Sequence, residues 1–136
     1  LKMSGKFDFG KETGNWETYY SNGILQCKGL FKNGNPTGVW QEFWPNGPLK
    51  TRQYLTKDKG ADGFVESFFD NGNISAKGNY ENDKQNGKWE SYHENGQLHS
   101  KGNYNNGLKD GVWDYYNNNG LKLVSETYSV GTLIHN

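Results

Sequence analysis

The apolar and polar positions of this chain recur at a long interval, as they do in proteins built by stacking copies of one small unit. With Gly14, Gly38, Gly63, Gly87 and Gly111 taken as position 0, the steps between them are 24, 25, 24 and 24 residues, and the other signals fall into register. Position 2 holds Trp16, Trp40, Trp89 and Trp113, with Val65 as the departure, and position 5 holds Tyr19, Phe43, Phe68, Tyr92 and Tyr116. Position 6 holds Tyr20, Trp44, Phe69 and His93, then Asn117 in the last unit. Positions 8 and 9 are Asn-Gly throughout, from Asn22-Gly23 to Asn119-Gly120. Position 11 is Leu25, Leu49, Ile74 and Leu98; position 15 is Gly29, Gly78 and Gly102; position 17 is Phe31, Leu55, Tyr80, Tyr104 and Tyr128. Asn-Gly between alternating apolar residues is a strong hairpin signal. The chain therefore reads as five hairpins, each unit closed by a second turn, as at Asn33-Gly34 and Asn106-Gly107. The expected fold is all-β, a tandem array of antiparallel β-hairpin repeats of about 24 residues forming an elongated twisted sheet. One repeat-array domain covers 1–136, with a partial repeat at 1–13 and units at 14–37, 38–62, 63–86, 87–110 and 111–136.

A two-residue type I′ turn at each Asn-Gly pairs residues whose positions sum to 17. Position 3 (Glu17, Gln41, Glu66, Glu90, Asp114) then faces position 14 (Lys28, Arg52, Lys77, Lys101, Ser125). Such cross-strand acid–base pairs contribute roughly 0.2 to 1 kcal/mol each and fix register. Each position-2 Trp faces position 15, usually Gly, so the indole can lie over bare backbone, and the position-6 aromatic faces the position-11 Leu. A three-residue loop with a bulge would shift the pairing by one and break the charge match, which ranks it lower. Positions 2, 4, 6, 11, 13, 15 and 17 form an apolar face, with Trp16, Trp40, Trp89, Trp113, Leu25, Leu49, Ile74 and Leu98 as its structural core. Positions 3, 5, 12 and 14 form a mixed face. A lone hairpin is marginal, so the units must stack in sequence.

Three departures from the pattern carry their own expectations. Asn117 and the tail 122–136 read as a degenerate cap. The unit at 38–62 contains Pro45 and Pro48, follows Pro36, and has one extra residue between Thr56 and Gly63, which predicts a bend or a distinctive loop there. Leu1, Gly5, Phe7 and Gly10 fit positions 11, 15, 17 and 20 of an earlier unit, so more array or a leader is expected before Leu1.

Composition alters this picture little. Apolar residues are 32% of the chain and the mean hydropathy is -1.04, values that lean toward disorder, but five Trp, nine Tyr and seven Phe supply large buried areas from few side chains. Fifteen Lys+Arg balance fifteen Asp+Glu, so no global basic field exists to hold phosphate backbones, and nucleic acid is not expected as a partner. No apolar run is long enough to span a bilayer, and no secretory signal pattern is present. The lone Cys27 allows no internal disulfide and suits a reducing compartment. A cytoplasmic location is expected, with export as the alternative if a leader was removed.

The unit Gly-x-Trp-x-x-Tyr-Tyr-x-Asn-Gly-x-Leu-x-x-Lys-Gly-x-Tyr-x-Asn-Gly resembles the variant MORN repeat over essentially the whole chain. Among bacterial proteins built of such repeats, the chain resembles the YwqK-like antitoxin family. That resemblance implies a protein that binds and neutralises a partner toxin.

Cys27 sits at position 13, where other units hold Thr51, Ala76, Ser100 and Val124, so the slot calls for a small side chain and not for a thiol. His93 and His99 have no metal-ligand spacing with Cys27 or a carboxylate. Each acid of the ladder has a basic neighbour, and the glycines form no phosphate-binding fingerprint. No catalytic residue, metal or cofactor is assigned, and an enzyme would need a separate domain. The position-5 stripe lies beside the ladder, and aromatics among mixed charge are the usual material of binding hot spots. Glu17, Tyr19, Phe43, Glu66, Phe68, Glu90, Tyr92 and Tyr116 are therefore the candidate partner-binding residues. The competing reading buries the stripe as a second core layer; aromatic rows can also stack sugars or bases. The functional expectation is a non-enzymatic antitoxin or immunity protein covering a toxin through the concave side of the array. The alternative is a structural or surface-exposed repeat scaffold for adhesion or assembly.

Overall fold

The computed structural model describes residues 2–55 and 63–135. Twelve strands make one antiparallel sheet in sequence order: β1 (Lys2–Asp8), β2 (Lys11–Tyr19), β3 (Leu25–Lys32), β4 (Asn35–Phe43), β5 (Leu49–Leu55), β6 (Gly63–Phe68), β7 (Ile74–Glu81), β8 (Lys84–Tyr92), β9 (Leu98–Asn105), β10 (Leu108–Tyr116), β11 (Lys122–Ser129) and β12 (Thr132–His135). Among the described residues there is no helix and no second layer. This is the expected hairpin array.

Two turn classes alternate along it, and the one at positions 8 and 9 is not the expected type I′. At Asn22-Gly23 the Tyr20 carbonyl accepts from Gly23 N at 2.9 Å, and Tyr20 N donates to the Ile24 carbonyl at 2.8 Å. In these turns the left-handed residue is the glycine, with φ from +85° at Gly23 to +113° at Gly47. This is a three-residue loop, a type I turn followed by a glycine bulge. The type I′ turns are at the unit ends. Asn33-Gly34 (φ 53° and 83°), Asn82-Asp83 (53° and 63°) and Asn106-Gly107 (50° and 85°) have both central residues left-handed. The same holds at Phe9-Gly10 (51° and 78°) and Val130-Gly131 (40° and 87°). Val130 is β-branched, which makes that conformation costly. Val130→Asn, giving the residue type that Asn33, Asn82 and Asn106 supply at this position, is expected to stabilise the chain by about 1 kcal/mol, read from the urea midpoint. An unchanged midpoint would mean that the turn carries no strain.

The three-residue loop shifts the first pair by one, so Tyr19 stands opposite Leu25. A second bulge at position 12 then restores the expected register: Thr18↔Cys27, Glu17↔Lys28 and Trp16↔Gly29. The charge match survives because two one-residue offsets cancel. Two face assignments do not survive: the sequence pattern places position 12 beside positions 3, 5 and 14, but the bulge turns Gln26, Lys50 and His99 toward Thr18, Glu42 and Ser91 on the Trp face, and position 11 moves the other way. Leu25, Leu49, Ile74 and Leu98 stand opposite Tyr19, Phe43, Phe68 and Tyr92, so they share the position-5 face and not the Trp face.

The Trp face holds the most buried side chains, with Trp16, Trp89 and Trp113 at 6%, 7% and 3% exposure, while Trp40 is half-buried. Each indole lies over the glycine of the preceding unit, not the one opposite it in its own hairpin. A Cβ on Gly5, Gly29, Gly78 or Gly102 would overlap the ring of Trp16, Trp40, Trp89 or Trp113. At these junctions the following strand bulges past the glycine; thus Lys28 pairs with Gln41 but Leu30 with Thr37, and Gly38 takes φ 71°. The indole N–H donates to a carbonyl of the preceding unit, Trp40 to Leu30 at 3.1 Å, Trp89 to Asn79 at 2.9 Å and Trp113 to Asn103 at 3.0 Å. Position-17 rings fill the gaps edge-on, giving one run Phe7–Trp16–Phe31–Trp40 with centroids 5.0 to 5.6 Å apart. A second run is Tyr80–Trp89–Tyr104–Trp113, at 4.9 to 6.2 Å.

The runs break where Gln53 occupies the glycine slot. No indole can lie over a side chain, the next position 2 is Val65, and β5 and β6 pair without a bulge (Arg52↔Glu66, Gln53↔Val65). The expected bend or loop between Thr56 and Gly63 falls on 56–62, outside the described residues. The expected cap continues the sheet as β11 and β12, while Asn117 turns its Oδ1 onto Asn119 N and Leu121 N of its own turn.

Candidate protein-binding face

On the face away from the Trp runs, one row crosses the sheet from β1 to β11. Ser4, Glu17, Lys28, Gln41, Arg52, Glu66, Lys77, Glu90, Lys101, Asp114 and Ser125 stand opposite one another in succession. Each interior base thus has position-3 residues on both sides, in its own unit and in the next. The close contacts bridge units: Arg52 donates to Glu66 Oε1 from Nη2 at 2.9 Å and Nε at 3.0 Å, and Lys77 lies 3.9 Å from Glu90. The ladder therefore fixes neighbouring repeats to each other as well as the two strands of a hairpin.

At its far end, Ser125 Oγ donates to Asp114 Oδ1 at 2.6 Å and Lys122 Nζ lies 3.0 Å away. The Ser125 bond, then Lys122, hold the Asp114 carboxyl below its usual range. A depressed folded pKa gives stability that is present above the unfolded value and lost as pH falls through the folded one. Ser125→Ala is expected to flatten the loss of thermal stability below about pH 4, the usual carboxylate range. Melting curves across that window check it, and a profile identical to the parent chain would remove Asp114 from the acid response.

A second row pairs Tyr19 with Leu25, Phe43 with Leu49, Phe68 with Ile74 and Tyr92 with Leu98, all half-buried. Arg52 covers the Phe68 ring at 5.8 Å and Lys77 the Tyr92 ring at 5.9 Å. Tyr116, also half-buried, faces Lys122. All eight candidate residues, Glu17, Tyr19, Phe43, Glu66, Phe68, Glu90, Tyr92 and Tyr116, lie on this face in two adjacent rows, and the position-11 aliphatics join them there.

The turn ends lock the units together. Tyr20 Oη donates to the Phe43 carbonyl at 2.6 Å, Trp44 Nε1 to the Phe68 carbonyl at 3.2 Å, and His93 Nε2 lies 2.9 Å from the Tyr116 carbonyl. The polar tip accounts for Tyr20, Trp44 and His93 at position 6, whereas Phe69 in the same slot has no donor to offer. One step on, Asn22, Asn71 and Asn95 donate from Nδ2 to the carbonyls of Pro45, Glu94 and Asn118 at 3.0, 2.9 and 2.6 Å.

The other polar candidates are occupied in the same structural way. His99 meets the His93 ring edge-on at 4.7 Å and lies 3.2 Å from Ser91 Oγ. Among the described residues no three His, Cys, Asp or Glu side chains converge as metal ligands would. Cys27 lines a groove on the Trp face beside Trp16, Phe31 and Trp40. Burial first, and then the Glu42 carboxylate, push its thiol up, the opposite of what a nucleophile needs. Lys109 Nζ sits 5.0 to 5.3 Å from the rings of Trp113, Tyr115 and Tyr128, so the one aromatic box among the described residues already holds a cation of the chain itself.

One group on this second face is not marked by the repeat pattern. Positions 1 and 16 form a third row, polar at Asn15, Asn79, Lys88, Asn103 and Thr127 but apolar at Leu30, Val39, Tyr54 and Phe64 on four adjacent strands, and at Val112 apart from them. The signal was in the alignment of units, but variable positions carry no periodicity.

Comparison with known protein families agrees with the array. The variant MORN repeat matches residues 12–33, 62–82 and 85–106. No curated protein matches the chain. The three matching segments contain Gly29, Gly78 and Gly102, whereas the stretches between and beyond them hold Gln53 and Glu126 in the glycine slot. The chain is thus a β-hairpin repeat protein, three segments of which match the variant MORN repeat.

Proposed function

We propose that this chain is a non-enzymatic binding protein that covers a protein partner with its second face, and that the partner is a toxin it neutralises. One observation carries the reading: a half-buried aromatic and aliphatic stripe runs directly beside a row of alternating charge. The stripe supplies apolar area near its rings, and the row favours a partner with the opposite alternation and penalises one without it. Cross-unit hydrogen bonds at the turns hold both rows in place, which lowers the ordering cost of association. The neutralising role rests on the antitoxin resemblance. The lone thiol suits the reducing cytoplasm, and the balanced charge disfavours nucleic acid.

The test is a pull-down from the source cell with the intact chain as bait, beside a Tyr19→Ala/Phe68→Ala/Tyr92→Ala variant whose fold is checked by far-UV circular dichroism. Capture of one toxin in equal amount, lost with the folded variant, is the expected result. Envelope material held equally by both baits would transfer the assignment to an adhesion or assembly scaffold.

A further inference from the structure

Leu30, Val39 and Tyr54 are 40%, 43% and 40% exposed, and the Tyr54 and Phe64 rings lie 6.1 Å apart. They occupy β3, β4, β5 and β6 in one row of the second face, at positions where other units carry Asn15, Asn79, Lys88, Asn103 and Thr127, with Val112 on β10 as a single apolar residue set apart from the group. The fold therefore does not require apolar side chains in this row, and their concentration on four adjacent strands needs another cause. The neighbouring rows indicate what covers them.

We propose that two copies of this chain pack face to face through this patch, related by a two-fold axis parallel to the strands that passes between β4 and β5. Rotation about such an axis preserves height along the strand, so each row lies on its own row in the second copy. Strand β4 then covers the second copy's β5, and β3 covers its β6. In the apolar row Val39 meets Tyr54, and Leu30 meets Phe64. In the charged row Lys28 meets Glu66, Glu17 meets Lys77, and Gln41 meets Arg52. In the stripe Phe43 meets Leu49, and Leu25 meets Phe68.

Charge alternation alone would tolerate such an axis between any two neighbouring strands of the row, since acids and bases alternate strand by strand. Only the β4/β5 position also centres the apolar patch on itself, so two independent features select one arrangement. Sheet-on-sheet packing is the general way a single layer covers an apolar face. Because both sheets twist, contact is concentrated on the central strands. The second copy covers β1–β8, so a partner held by Tyr19, Phe43, Phe68 and Tyr92 would have to displace it, whereas β9–β11, with Tyr116, stay open. The inference does not depend on the toxin reading, since it concerns the purified chain alone.

The test is analytical ultracentrifugation of the purified chain up to roughly 100 µM, a range suited to a small interface. A dimer is expected. Leu30→Asn/Tyr54→Asn, which supplies the residue type found at the equivalent Asn79 and Asn103, is expected to keep its circular dichroism spectrum and to be monomeric. Lys28→Glu alone and Glu66→Lys alone are each expected to weaken association by about tenfold or more. Mixing them in equal amounts should restore it, because each then meets an opposite charge across the interface. A monomeric parent chain overturns the proposal, as does a double-Asn variant that dimerises like the parent. Failure of two folded charge variants to complement each other overturns the assigned axis.

Discussion

Gly102→Ala is expected to destabilise the array by about 3 kcal/mol, the upper end of what forced overpacking costs, although it adds a single methyl group. That methyl would occupy the space of the Trp113 ring. Trp113 is 3% exposed and its N–H is fixed on the Asn103 carbonyl, so the indole cannot move aside without losing both its packing and its hydrogen bond. Trp113→Val should also cost about 3 kcal/mol through lost burial. The informative variant is Gly102→Ala/Trp113→Val. With the indole gone the methyl meets no ring, so the pair should cost little more than Trp113→Val alone, a coupling of about 3 kcal/mol that urea titrations would resolve. The chain already contains the natural form of this double change, in Gln53 and Val65. Additive losses in the cycle would show that the glycine matters for backbone conformation and not for the ring above it.

Asn95→Ala should give the next largest loss, about 1 to 2 kcal/mol for two hydrogen bonds. The Asn95 carbonyl oxygen accepts from Gln97 N at 3.0 Å inside its own turn, and its amide donates to the Asn118 carbonyl at 2.6 Å in the next unit. Asn95→Asp keeps the acceptor and loses the donor, so its stability should fall between those of the parent and the Ala variant. Because the second bond joins units, amide exchange in the turn around Asn119 should quicken in both variants, while the turn around Asn22 keeps its protection. Uniform loss of protection along the chain would mean that the array unfolds as one cooperative body and that this bond has no local role.

The sequence by itself determined the unit, its length, the number of hairpins and the acid–base register, since each is written in residue types recurring at fixed intervals. It also marked the two faces correctly at positions 2, 3, 5, 14, 15 and 17, where strand alternation decides the side. The candidate rows were legible for the same reason. The tertiary structure decided three things that periodicity does not encode. The turn class at Asn-Gly was one, because both a type I′ turn and a type I turn with a glycine bulge accept that dipeptide, and the cancelling bulge at position 12 hid the difference from the charge pairing. It moved Leu25, Leu49, Ile74 and Leu98 to the other face. The partner of each Trp was another, because an indole reaches across to the preceding unit's glycine, a neighbour 11 residues back that no hairpin register names. The last was the apolar patch of Leu30, Val39, Tyr54 and Phe64, scattered in sequence and brought together only by strands lying side by side. Repetition along a chain specifies what every unit shares, whereas contacts between units depend on the twist and bulges of the assembled sheet.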